Sequence, residues 1–167
     1  MAEIKPNYDT KRKKLAEIIP LAHPFTVYIE QTKYCNFKCF YCIHSTRDEA
    51  DGEFRALGHR MQHIDDSFFE KIIRELKEFP QGGIKRIVFS GLGEPLTNPR
   101  LPDYVRMTVE AGIAGRVEVI TNGLLLTPEK SRALVEAGIT NINISVQGLD
   151  AEGYQKTCGV LIDFDRY

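Results

Sequence analysis

Short stretches with a two-residue alternation of apolar and polar side chains take turns with longer stretches of helical period along this 167-residue chain. Phe25 to Glu30 alternates as a strand does. Between 64 and 79, Phe69, Ile72, Ile73, Leu76 and Phe79 fall on one helical stripe, with Asp65 or Asp66 available as a cap. Pro80 and Gly82-Gly83 stop that helix. Ile84 to Ser90 reads as a second strand and Pro99 to Gly112 as a second helix. Arg116 to Thr121 is a third strand, and Pro128 to Ala137 a third helix with Thr127 as N-cap and Gly138 just past its end. Asn141 to Val146 is a fourth strand, and another helix starts near Ala151. Residues 160–167 read as the beginning of one more helix.

This alternation predicts an α/β fold of parallel βαβ units. Right-handed crossovers wind such strands into an open or closed barrel, with functional loops beyond their carboxyl ends. In the first strand Phe25, Val27 and Ile29 share one face, and Thr26, Tyr28 and Glu30 the other. In the fourth, Ile142, Ile144 and Val146 oppose Asn143, Ser145 and Gln147. Helices should cover the apolar faces, and the polar faces then line a wet interior able to hold a polar ligand. A half-exposed sheet would give the same alternation; the motifs at the strand ends favour the cavity.

The length suits one domain: a leader over 1–24 and a barrel domain over 25–167. A net charge of −1 gives no bulk attraction to nucleic acid or to an anionic membrane. The one basic run, Lys11-Arg12-Lys13-Lys14, reads as the solvated face of a leading helix. No segment is long and apolar enough to span a bilayer, and the N-terminus carries no signal-peptide core. The expected compartment is the cytoplasm, where the four cysteines read as metal ligands or buried thiols rather than disulfides.

Cys35, Cys39 and Cys42 stand in one loop after the first strand, with gaps of three and two residues. That spacing suits a [4Fe–4S] cube held at three corners, its fourth iron open to a small molecule. The alternative is a zinc site completed by His44, although only one residue separates His44 from Cys42. Asn36 and Lys38 either hydrogen-bond cluster sulfurs or face solvent. Cys158 is isolated and reads as a packing or surface thiol; His23, His59 and His63 share no ligand spacing.

The cysteine loop resembles the CxxxCxxC signature of the radical S-adenosylmethionine (SAM) superfamily, with the aromatic Tyr41 before the last cysteine. Three further segments fit in order: Ser90-Gly91-Leu92-Gly93-Glu94-Pro95-Leu96, Thr121-Asn122-Gly123 and Ile144-Ser145-Val146-Gln147-Gly148. The likeness covers about residues 25–157. It implies a partial TIM-like (β/α) barrel with about four βα units present, where family barrels have six or eight, and so a truncated or partial protein.

The same resemblance implies that Cys35, Cys39 and Cys42 ligate the cluster. It implies that Tyr41 packs near the adenine of SAM, and that Gly91, Gly93, Glu94 and Pro95 hold its methionine amino group. Glu94 would serve either the loop or the ligand's charge. Thr121, Asn122, Ser145 and Gln147 would meet the ribose and carboxylate. Two departures are Leu92, where many members have a glycine pair before the glutamate, and Gln147, where many carry Asp.

The implied activity is electron transfer from reduced flavodoxin or ferredoxin, reductive cleavage of SAM, and hydrogen abstraction by a 5′-deoxyadenosyl radical. The substrate is an unidentified peptide or small molecule, as in peptide modification or cofactor biosynthesis, with RNA disfavoured for want of a basic patch. The alternatives are a non-catalytic zinc or iron–sulfur module and an inactive truncated fragment.

Overall fold

In the computed structural model, which describes residues 14–80, 83–164 and 167, one sheet holds four parallel strands. They are β1 (Thr26–Ile29), β2 (Arg86–Phe89), β3 (Val117–Thr121) and β4 (Asn141–Ile144), side by side in chain order. Helices α1 (Glu53–Ala56) and α2 (Asp66–Leu76) connect β1 to β2. Helix α3 (Leu101–Glu110) connects β2 to β3, α4 (Pro128–Glu136) connects β3 to β4, and α5 (Ala151–Cys158) follows β4. The four expected strands form, as do the helices expected over 64–79, 99–112 and 128–137 and from Ala151, with ends trimmed by a few residues.

The register sorts every strand residue onto one of two faces. Val27, Ile87 and Val117 lie in line, as do Ile29, Phe89, Val119 and Ile142. This face meets Phe69 and Ile73 of α2, Leu101, Tyr104 and Val105 of α3, and Leu134 of α4 in one buried core. Helices on a single face of a sheet in sequential order are what a barrel requires. The opposite face carries Thr26 and Arg86, then Tyr28, Val88, Glu118 and Asn141 in line, then Ile120 and Asn143. Its charges are internally matched. The buried Glu118 carboxylate lies 3.5 Å from Arg86 Nη1 and 3.4 Å from Arg116 Nε.

Several expectations change. Asp65 stands at the N-cap of α2, but only its carbonyl takes part, accepting from the Phe68 and Phe69 amides. Asp66 turns away to accept from the Tyr104 hydroxyl at 2.7 Å and to pair with Arg100 at 3.2 Å. The Tyr104 bond and the Arg100 charge hold the Asp66 carboxyl below its usual range. Thr127 does cap α4, accepting from Lys130 N at 3.3 Å.

Ile144 and Val146, expected under a helix, are half to two-thirds exposed. Helix α5 buries Tyr154 and Cys158 against Phe37 and Ile162 instead. Residues 160–164 form no helix, because Gly159 ends α5 in the left-handed region at φ 66° and turns the chain back. Lys11, Arg12 and Lys13 lie outside the described residues; Lys14 precedes a single 3₁₀ turn, Leu15–Glu17, rather than a longer helix. No helix among the described residues is long and apolar enough to cross a membrane.

Phe69 is the keystone between α2, α3 and the sheet. It is fully buried and stacks on Tyr104 with ring centroids 4.1 Å apart. Phe69→Ala should cost about 3–5 kcal/mol, read as a lower urea midpoint at unchanged slope.

Candidate functional site

Beyond the carboxyl ends of the four strands the connecting segments lock together. The β1 loop crosses the β2 loop at Gly93, where a Cβ would overlap the Thr32 carbonyl oxygen. Only glycine permits that approach. The crossing is closed by Glu94 N donating to the Tyr34 carbonyl at 2.8 Å. Alongside it, Glu30 accepts from Leu92 N and pairs with Lys33.

Glu94 is buried, and both of its oxygens are engaged. Oε1 accepts from Leu96 N at 2.9 Å and from the Thr121 hydroxyl at 2.6 Å; Oε2 accepts from Asn122 N at 2.7 Å. Burial pushes this carboxyl above its ordinary range, and those three bonds pull the other way. Of the two roles open from sequence, the carboxylate visibly performs the first. It fastens the β2 loop to the end of β3. Pro95 is buried at the start of the following 3₁₀ turn, Pro95–Thr97, and its carbonyl accepts from Gln31 Nε2 at 3.2 Å.

The cysteine loop meets the β3 and β4 ends directly. Asn122 Nδ2 donates to Asn36 Oδ1 at 2.8 Å, and the Tyr41 hydroxyl donates to Gln147 Oε1. Ser145 N donates to the Thr121 carbonyl at 2.8 Å, and Gln147 N to the Tyr154 hydroxyl at 3.1 Å. Gly91 abuts the Glu30 side chain. Every site residue expected from sequence therefore falls in one cluster of loops.

Cys35, Cys39 and Cys42 are half-buried and unpaired by disulfide. Burial pushes the Cys35 thiol up to about 11, so ligation there requires a proton to leave. Among the described residues no three His, Cys, Asp or Glu side chains are gathered so as to hold one metal ion. A mononuclear zinc site needs all its sulfurs about 2.3 Å from one centre. A cube gives each thiolate its own iron, which suits three sulfurs spread along a loop. His44 does not join them: it is buried with its ring against Phe54, centroids 5.0 Å apart. The donor set, three soft thiols on a braced loop, fits an iron–sulfur cluster.

The bracing comes from long-range contacts, among them those of Cys158, whose reading as a packing thiol fits its burial. Lys38 N donates to the Cys158 carbonyl at 2.9 Å, and Phe40 N to the Thr157 carbonyl at 3.0 Å. Cys158 is fully buried behind the loop with Phe37 and Tyr154, beside Cys35 and Cys39. Tyr167 donates its hydroxyl to the Asn122 carbonyl. No local pattern announces these contacts. Lys38, left open before, pairs with Asp48.

The family model for the radical SAM superfamily matches residues 29–167. The chain belongs to that superfamily. Its cofactors are accordingly a [4Fe–4S] cluster and SAM, and radical SAM proteins are enzymes. Among curated relatives, the tungsten-containing aldehyde ferredoxin oxidoreductase cofactor-modifying protein of Pyrococcus furiosus is 31% identical over 136 residues. That match covers 81% of this chain and 34% of the relative. The GTP 3′,8-cyclase of Chlorobaculum tepidum is 34% identical over 128 residues, covering 77% and 34%.

Among solved structures, BtrN in complex with AdoMet and 2-DOIA superposes with a TM-score of 0.61 at 25% identity. It covers 75% of this chain and 47% of BtrN. SuiB of Streptococcus suis bound to the precursor peptide SuiA gives a TM-score of 0.62 at 22% identity, covering 87% and 30%, a likeness of fold. The chain thus spans about a third of the length of these curated relatives. Its four-stranded sheet is part of a TIM-like barrel.

Three substitutions at two positions test the lock. Gly93→Ala should destabilise the protein by about 1–3 kcal/mol through backbone overlap. Glu94→Ala should cost about 3 kcal/mol or more by stranding three donors, whereas Glu94→Gln keeps an acceptor and loses less. Urea unfolding of the three variants checks the ranking.

Proposed function

We propose that this chain is the cluster- and SAM-binding portion of a radical SAM enzyme acting in the modification or synthesis of a small-molecule cofactor. The observation that carries the reading is the convergence of the cysteine loop and three further motif segments at the carboxyl ends of adjacent parallel strands. They are joined there by the Asn36–Asn122 and Tyr41–Gln147 bonds. When bound, the cluster supplies the electron that cleaves SAM to methionine and a 5′-deoxyadenosyl radical, which takes a hydrogen atom from the substrate.

Cys35, Cys39 and Cys42 hold the cluster as thiolates. Backbone groups of Gly91, Gly93, Glu94 and Pro95 receive the methionine end of SAM, in a loop whose position Glu94 fixes through the end of β3. Thr121, Asn122, Ser145 and Gln147 supply neutral donors and acceptors for a ribose diol and a carboxylate. Tyr41, tied to Gln147 and more than half exposed, offers its ring to the adenine. Reduced flavodoxin or ferredoxin is the electron donor. Residues 25–167 form the catalytic barrel segment and 1–24 a leader.

A cofactor precursor is favoured over a peptide as substrate. A relative above 30% identity carries a cofactor-modifying name, whereas the peptide-bound neighbour shares only the fold.

Anaerobic reconstitution should load about four irons and four sulfides per chain. Cys35→Ala, Cys39→Ala and Cys42→Ala should each lose that iron, while Cys158→Ala keeps it. Adding SAM should shift the electron paramagnetic resonance signal of the reduced cluster, and dithionite should then release 5′-deoxyadenosine. One bound zinc without sulfide, or a cluster signal indifferent to SAM, would refute the reading.

A further inference from the structure

The segment between the third cysteine and α2 builds a concavity lined by none of the residues assigned to the cluster or to SAM. It encloses about 500 Å³ and is lined by Arg47, Phe54, Arg55, His59, Arg60 and Met61. Three guanidinium groups and an imidazole share this lining with no carboxylate. Arg47 is anchored, its Nη1 donating to the Phe37 carbonyl inside the cysteine loop. Phe54 is a buried wall, clasped by His44 and by His59, whose ring centroid lies 5.4 Å away. Asp48 pairs with Lys38 and, at 3.9 Å, with Arg47 Nε. Arg55 and Arg60 make no ion pair among the described residues.

Like charges gathered in a concavity repel one another, and Arg55 and Arg60 have no acid within ion-pair distance among the described residues to offset that. Guanidinium forks match the planar and tetrahedral oxyanions of carboxylate and phosphate. The concavity is open to solvent on one side and its volume is of small-molecule size. We infer that this pocket binds a small molecule carrying two or more phosphate or carboxylate groups, held by Arg47, Arg55 and Arg60. The inference is independent of the proposed cluster chemistry, because no cysteine lines the pocket.

Isothermal titration of the chain with pyrophosphate, and separately with tricarballylate, provides the test. One-to-one binding with a dissociation constant below about 1 mM is expected for at least one of them. Arg55→Gln combined with Arg60→Gln should weaken it tenfold or more; Arg132→Gln, on α4, should leave it unchanged. Both Arg55 and Arg60 are exposed, so the double variant should keep the circular dichroism of the parent. Binding of pyrophosphate alone would assign a phosphate-bearing ligand, and of tricarballylate alone a polycarboxylate. No saturable binding of either, or equal weakening by Arg132→Gln, would overturn the inference while leaving the cluster reading intact.

Discussion

A buried carboxylate with every oxygen engaged holds the upper end of this barrel segment together. Glu94 joins its own turn, through Leu96 N, to the side chain of Thr121 and the backbone of Asn122. Burying that group is costly, and three hydrogen bonds offset the cost only while β2 and β3 keep their relative position. The same residue's amide reaches back to Tyr34, immediately before Cys35. One residue thus fixes three chain segments. Lys130, from α4, adds a bond to the Leu96 carbonyl at 2.8 Å and secures the turn from the helix side. The loops can therefore present polar groups outward without an apolar core of their own.

That arrangement depends on the two faces of the sheet having different jobs. Toward the helices, branched and aromatic side chains pack into one core with Phe69, Phe89 and Tyr104 at its centre. Toward the other side, Glu118 is compensated by two arginines near the amino ends of the strands. Charge is thus neutralised at the lower end, while Glu30, Asn122 and Ser145 sit at the upper end on the same side. A one-residue slip of any strand would exchange these faces. Register is consequently a functional constraint as well as a structural one.

The parts legible in the sequence were those set by local rules. Alternation placed the strands, and Thr127 and Gly138 bounded α4, since a cap bond and a left-handed terminus involve only near neighbours. Glycine and cysteine spacing, read through a family resemblance, located the loops. Long-range contacts overrode local reading elsewhere. Asp66 looked as able to cap as Asp65, but Tyr104, 38 residues on, claimed it. Ile144 and Val146 read as a covered face, yet α5 spends its apolar residues on Phe37 instead. Cys158 gave no sign of its place, because what positions it is a pair of carbonyl bonds to residues more than a hundred positions earlier.

Those carbonyl bonds bear on why three cysteines rather than four would serve as ligands. Cys158 lies beside Cys35 and Cys39, and proximity alone would make it a fourth ligand. Yet its helix end is tied to the loop backbone, through Lys38 N and Phe40 N, and its side chain is packed among Phe37, Tyr154 and Ile162. To reach a metal corner it would have to leave an apolar cluster and break the hydrogen bonds that hold the loop in shape. Burial and the neighbouring Cys39 also push its thiol up from its ordinary value. The fold thus uses the fourth cysteine as the backing of the loop.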